Sequence, residues 1–222
     1  MKNARLALTI IALVALSQVA MAQTSGIITL NATVPDAFSF TNTSNGSIGT
    51  VTVNLGSLAV PLSPAMVTDA STILRLRSNK AYKVMAAASA PGAPSGTPDG
   101  GDTMLLKDIG FGITAIGNNG TGNLATGQTN TIATNQDYTG GNWPPAVPAD
   151  GLTPFGAVAN KGSLNEVASS TQILSGSRIS KRGNVVTTDN YITITLGFAV
   201  LPQYFTPDTG FTTNVTLTMS LP

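Results

Sequence analysis

The sequence predicts an all-β fold: a two-sheet antiparallel sandwich, immunoglobulin-like or jelly-roll-like, with a long irregular insertion. Three observations lead there. Apolar and polar residues alternate with period two in several separate runs. Clusters of Gly, Pro, Asn and Ser divide these runs. No βαβ rhythm and no fixed repeat period is visible. Strict alternation gives each strand one apolar face, and two such sheets bury those faces against each other.

The first run is Gly26 to Val34, where Ile28, Leu30, Ala32 and Val34 alternate with Thr29, Asn31 and Thr33. Pro35-Asp36 interrupts it, and Phe38 and Phe40 resume the pattern. Thr41 to Gly49 is a turn cluster centred on Asn45-Gly46. Thr50 to Leu58 reads as a strand with Val51, Val53 and Leu55 on one face. Ser71 to Ala88 reads as a hairpin turning at Ser78-Asn79-Lys80, and Ala90 to Asp102 as a surface loop. Ile109, Phe111 and Ile113 form the next strand; Gly110 and Gly112 between them predict a bulge or a close backbone approach. The insertion runs from Gly117 to Asn160, longer than most structureless loops. Leu164 to Ile179 fits either a short helix or a strand. Ile192, Ile194, Leu196, Phe198 and Val200 give the clearest strand of all. Val215, Leu217, Met219 and Leu221 define the last, and that face is expected to be buried.

Residues 1–22 read as a cleavable signal peptide. Lys2 and Arg5 supply its positive end, Leu6 to Leu16 its apolar core, and Ala20-Met21-Ala22 a small-x-small cleavage site. The apolar core is too short for a membrane span, and no longer apolar segment follows, so no transmembrane anchor is expected. Residues 23–222 then form a single sandwich domain, with a secreted, cell-surface or periplasmic location. The leader takes two of the 11 Lys and Arg and none of the 10 Asp and Glu, leaving nine basic against ten acidic side chains. Charged residues make up 9% of the chain, against roughly 25% in ordinary soluble domains. No dense basic patch exists, which argues against a nucleic-acid partner. With no cysteine, packing and strand pairing must hold the fold.

The chemistry-bearing residues point away from catalysis. The absence of histidine removes the commonest general base and the usual Ser-His triad, and the absence of cysteine removes thiol chemistry. Asp99, Asp102, Asp108, Asp137, Asp150, Glu166 and Asp189 lie mostly beside turn residues, which suits capping and solvation. Asp99-Gly100-Gly101-Asp102 lacks the full calcium-loop pattern, and no glycine cluster is followed by Gly-Lys-Ser/Thr. The expectation is a non-enzyme with no cofactor and no metal.

LRLRSNKAYKV, from Leu74 to Val84, and the run from Asn190 to Ser220 resemble segments of bacterial fimbrial or pilus subunits and of spore-coat-U-like secreted domains. This resemblance implies an immunoglobulin-like sandwich and assembly by strand donation, in which a neighbour's strand fills an open groove. Ile28, Leu30, Ala32 and Val34 are then the candidate donor strand; the same run equally fits an ordinary first strand of its own sandwich. The functional expectation is an exported structural or adhesive surface protein, a fimbrial or surface-layer subunit, whose partners are like subunits or other surface proteins. The alternative is a carbohydrate-binding module whose ligand contacts are Tyr138, Trp143 and Phe155, because aromatics concentrate in the insertion of an aromatic-poor chain. A carboxylate-dependent glycoside hydrolase is the third reading and needs two facing carboxylates.

Overall fold

The computed structural model describes residues 36–44, 51–54, 68–89, 105–117, 124–141, 143–144, 162–181, 190–200 and 213–222. All belong to one compact unit, Asp36–Pro222. Both the leader and the run Ile28 to Val34 lie outside the described residues, as do Phe155, Asp99 and Asp102.

Eight strands are described: β1 Phe38–Thr41, β2 Thr68–Ser78, β3 Tyr82–Ala88, β4 Ile109–Gly117, β5 Asn130–Ile132, β6 Thr171–Gly176, β7 Ile192–Val200 and β8 Val215–Ser220. They form two four-stranded sheets with the orders β1-β2-β7-β4 and β5-β6-β3-β8. Every pairing within both sheets is antiparallel. The sheets share one core, so the architecture is sandwich-like and not a closed barrel.

The alternation in the sequence sets which residues meet in that core. Leu74 and Leu76 of β2, Ile109, Phe111 and Ile113 of β4, and Ile192, Ile194 and Leu196 of β7 point inward from one sheet. Tyr82, Val84, Ala86 and Ala88 of β3, with Ile173 and Leu174 of β6, point inward from the other. Each fully buried Leu, Ile or Phe contributes roughly 1.5–3 kcal/mol of transfer free energy. Leu164 to Val167 forms a single 3-10 turn and Thr171–Gly176 a strand, so both readings of that region hold in part. Leu164, Val167 and Ile179 plug the same core.

The expected hairpin at Ser71 to Ala88 does not form. β2 pairs with β1 and β7, whereas β3 pairs with β6 and β8 in the other sheet. Ser78-Asn79-Lys80-Ala81 is therefore a corner between sheets. Ser78 Oγ accepts from Lys80 N–H (3.1 Å), and the Ser78 carbonyl accepts from both Ile179 and Ser180 N–H (3.1 and 3.0 Å). Asn79 N–H donates to Ala37 O (3.3 Å) and Asn79 Oδ1 accepts from Ala37 N–H (2.9 Å). These bonds occupy the groups that a hairpin turn would have left to the facing strand. The strand expected at Thr50 to Leu58 is also absent from its described part: Val51 to Asn54 carry no strand pairing and Val51 is exposed.

Tyr82 gives the core a pH-dependent element. Its side chain is fully buried, and its hydroxyl donates to Asn130 Oδ1 at 2.5 Å, tying β3 to β5. Burial pushes the phenol well above its usual range. The folded state thus holds a proton that the unfolded chain releases above about pH 10. Stability should be level with respect to this group below that pH and fall as pH rises beyond it. Tyr82→Phe should cost about 1 kcal/mol near neutrality, from the lost hydrogen bond, and flatten the alkaline decline. Urea unfolding between pH 7 and 11 checks both.

Candidate functional site

A sheet must end in edge strands, whose outward N–H and C=O groups invite pairing unless they are shortened, charged or covered. Among the described residues the two sheets have four edge strands, and three are blunted. β1 and β5 are only four and three residues long. β4 is covered along its outer side: Phe111 N–H donates to Gly162 O (2.7 Å), and Ile113 O accepts from Tyr138 N–H (3.0 Å).

β8 is different. It has six residues, Val-Thr-Leu-Thr-Met-Ser, with no charge, no proline and no bulge in its pairing with β3. Among the described residues β3 is its one strand neighbour. Ser89 N–H donates to Asn214 O (2.9 Å), which makes that facing pair a hydrogen-bonded one. In an antiparallel ladder bonded and non-bonded pairs alternate. Thr216, Thr218 and Ser220 therefore bond to β3, and the backbone groups of Val215, Leu217 and Met219 point to the open side.

The side chains of those three residues were expected to be buried. Val215, Leu217 and Met219 do face the core but remain half-buried, and Leu221 is 47% exposed. The reason is positional: an edge strand has sheet on one side only. Phe38 and Phe40 of β1 are likewise half-buried against the core, and β1 touches β8 where the two sheets come together. The result is an apolar seam between β1 and β8, beside a row of outward backbone donors and acceptors. Such an arrangement can take an extended segment that offers hydrogen bonds and every second side chain.

Two of the three insertion aromatics, Tyr138 and Trp143, are described. Gly112 of β4 and Gly197 of β7 face each other across the sheet. A Cβ on Gly112 would collide with the Tyr138 ring, and one on Gly197 would lie 2.6 Å from Trp143 Cε2 and 2.7 Å from Thr114 Cγ2. The glycine pair thus makes a shallow notch, widened by the register shift between Ile113 and Ala115. Tyr138 and Trp143 sit over it edge to face, with ring centroids 5.4 Å apart. Tyr138 is 9% exposed and Trp143 half-buried. The Trp143 Nε1–H is buried without a hydrogen-bond partner, so shape rather than polar bonding fixes the indole. Both rings pin the middle of the insertion to the sheet. The notch was signalled by Gly110 and Gly112; its occupants were not, because they lie 26 or more positions along the chain.

Four of the described carboxylates have partners of their own. Asp108 Oδ2 accepts from Leu105 N–H (2.8 Å), Asp137 Oδ1 from Thr139 N–H (3.1 Å), and Glu166 Oε2 from Asn135 Nδ2 (2.7 Å). Asp36 pairs with Lys80 at 3.7 Å. Burial raises the Asp108 pKa, opposed by the Leu105 hydrogen bond and Lys107. Among the described residues no three His, Cys, Asp or Glu side chains are grouped to hold a metal ion, and no helix is long and apolar enough to cross a membrane.

Gly197→Ala should cost about 1–3 kcal/mol by overpacking the notch. In a Trp143→Ala background the same substitution should cost at least about 1 kcal/mol less, because contacting residues couple. Denaturant melts of the four proteins give the coupling; an equal penalty in both backgrounds would contradict the seating of the indole.

No family model, curated protein or solved structure matches the chain.

Proposed function

We propose that this chain is an exported structural or adhesive surface protein that associates with like subunits by strand addition at β8. One observation carries the reading: β8, the edge strand with neither a short length nor a main-chain cover among the described residues, borders a half-buried apolar seam. Each backbone hydrogen bond gained there is worth about 0.5–1.5 kcal/mol net, and burying the apolar row adds to it.

The strand order supports an immunoglobulin-like form. In that fold strands A, B, E and D form one sheet and C, F and G the other. β1-β2-β7-β4 has the order A-B-E-D, and β3 beside β8 has the order C-F. β5 and β6 are then an insertion on the far side of C. The place next to F, where G belongs, is the open side of β8 among the described residues. Ile28, Leu30, Ala32 and Val34 have the alternation that this seam requires of a donor, and the segment precedes β1 in sequence.

The low charge, the Thr- and Asn-rich strands and the lack of histidine and cysteine fit a packing surface better than a reaction centre. The reading is therefore a non-enzyme.

Two variants test it. Leu217→Pro removes an outward N–H while sparing the bonds to β3, a placement that edge strands tolerate. It should lower monomer stability by about 1–2 kcal/mol, less than loss of a fully buried leucine, and abolish self-association in sedimentation. Deleting Gln23 to Val34 should leave folded monomers that no longer polymerise. Unfolding of the deletion variant would instead make that segment an intrinsic strand and overturn donation.

A further inference from the structure

The outer face of the β1-β2-β7-β4 sheet carries an arrangement that strand addition at β8 does not use. Leu74, Leu76, Ile194 and Leu196 point into the core, so Ser71 of β2 and the Gly197 it faces on β7 lie on the outward side. The Trp143 ring covers Gly197 on that side. Tyr138 closes the flank toward β4, over the Gly112 that faces Gly197. The flank toward β2 is lined by Ser71, with Asp69 and Ile73 about 6.7 Å away along the strand in either direction. All three are exposed, Ile73 by 46%. Facing residues of an antiparallel pair have Cβ positions roughly 4.5–5.5 Å apart, so Ser71 stands beside the indole. The Trp143 Nε1–H is buried, and the ring presents carbon outward.

We propose that Trp143, Asp69 and Ser71 bind a neutral polysaccharide, with a sugar ring stacked on the indole and its hydroxyls taken by the carboxylate and the serine. A pyranose has an apolar C–H face and a rim of hydroxyls. Sites for such molecules join an aromatic surface to a few placed polar groups. A rigid aromatic supplies contact area at low conformational-entropy cost, and the glycine notch preorganises this one further. The Asp69 carboxylate can accept from two hydroxyls, and such charge-assisted bonds are roughly twice as strong as neutral ones. Ile73 offers apolar contact to the next sugar along the strand. Tyr138, expected from the sequence to touch a ligand, is 9% exposed and instead supports the platform from its side.

Other polymers fit less well. Asp69 sets a negative charge beside the platform, which repels acidic chains. Arg75 and Arg77, further along the same row, are turned over the Tyr191 ring, with Cζ 4.3 and 5.1 Å from its centroid. An extended peptide would need open backbone groups, whereas β2 and β7 are interior strands paired on both sides. The site lies on the sheet that lacks β8, so its test does not depend on strand addition.

Trp143 is the one tryptophan of the chain, so its fluorescence reports on the site without a label. The experiment is titration of the full chain with hydroxyethyl cellulose, mannan and dextran as neutral polymers, and with polygalacturonate and poly-L-proline for comparison. At least one neutral polymer should change the emission saturably, with an affinity that does not weaken as salt rises. Asp69→Ala should reduce that affinity roughly tenfold, as expected for loss of a hydrogen bond to a charged group, and leave the melting temperature unchanged. Ser71→Ala should lose less. Trp143→Ala, read by affinity electrophoresis, should abolish retention; Asp69→Ala decides the matter if that variant does not fold. No binding of any neutral polymer to the folded wild type, tighter binding of polygalacturonate or poly-L-proline, or unchanged affinity in Asp69→Ala would each overturn the proposal.

Discussion

The backbone of an edge strand carries hydrogen-bonding groups that must go somewhere, and the way this sandwich disposes of them organises the rest of the molecule. Three of its edges are closed by ordinary means: two strands are very short, and β4 is overlaid by Tyr138 and Gly162 through main-chain bonds. Among the described residues β8 is left six residues long, uncharged and with β3 as its one strand neighbour. Natural sheets avoid that combination, because it templates pairing with another chain. Its presence beside a half-buried apolar seam makes the edge the most informative feature of the fold.

The insertion has a complementary part. Its first half adds β5 to the sheet that contains β8, on the side away from β8. It then crosses to the other sheet and seats Tyr138 and Trp143 over the Gly112–Gly197 pair. One stretch of chain thereby extends one sheet and shields the edge of the other. Among the described residues β4 is thus covered by main-chain bonds, whereas β8 has no such cover.

Much of this was legible in the residue pattern, and the failures have a common cause. Period-two alternation located β4, β7 and β8 and named the core residues Phe111, Ile113, Ile192, Ile194 and Leu196 correctly, since it reports which face of a strand is apolar. It cannot report which strand lies alongside. Two alternating runs joined by Ser78-Asn79-Lys80 look the same whether the chain folds back in one sheet or crosses to the other; here it crosses, because the Ser78 carbonyl bonds to Ile179 and Ser180. For the same reason the apolar row of β8 was expected to be buried. Alternation identifies an inward face, but only the strand order reveals that β8 ends its sheet among the described residues. The Arg75–Arg77–Tyr191 stack was hidden for a further reason: its members are joined by tertiary pairing of β2 with β7.

If strand addition operates, the outward backbone of Val215, Leu217 and Met219 takes up a partner strand. Residue-specific amide exchange by NMR tests it most directly, using the chain lacking Gln23 to Val34 before and after addition of a peptide with that sequence. The account predicts fast exchange at Val215, Leu217 and Met219 in the free protein and strong protection once the peptide is bound, with Thr216 and Thr218 protected throughout by β3. Protection of all five amides without the peptide, or exchange at the three outward positions unchanged by saturating peptide, would contradict it.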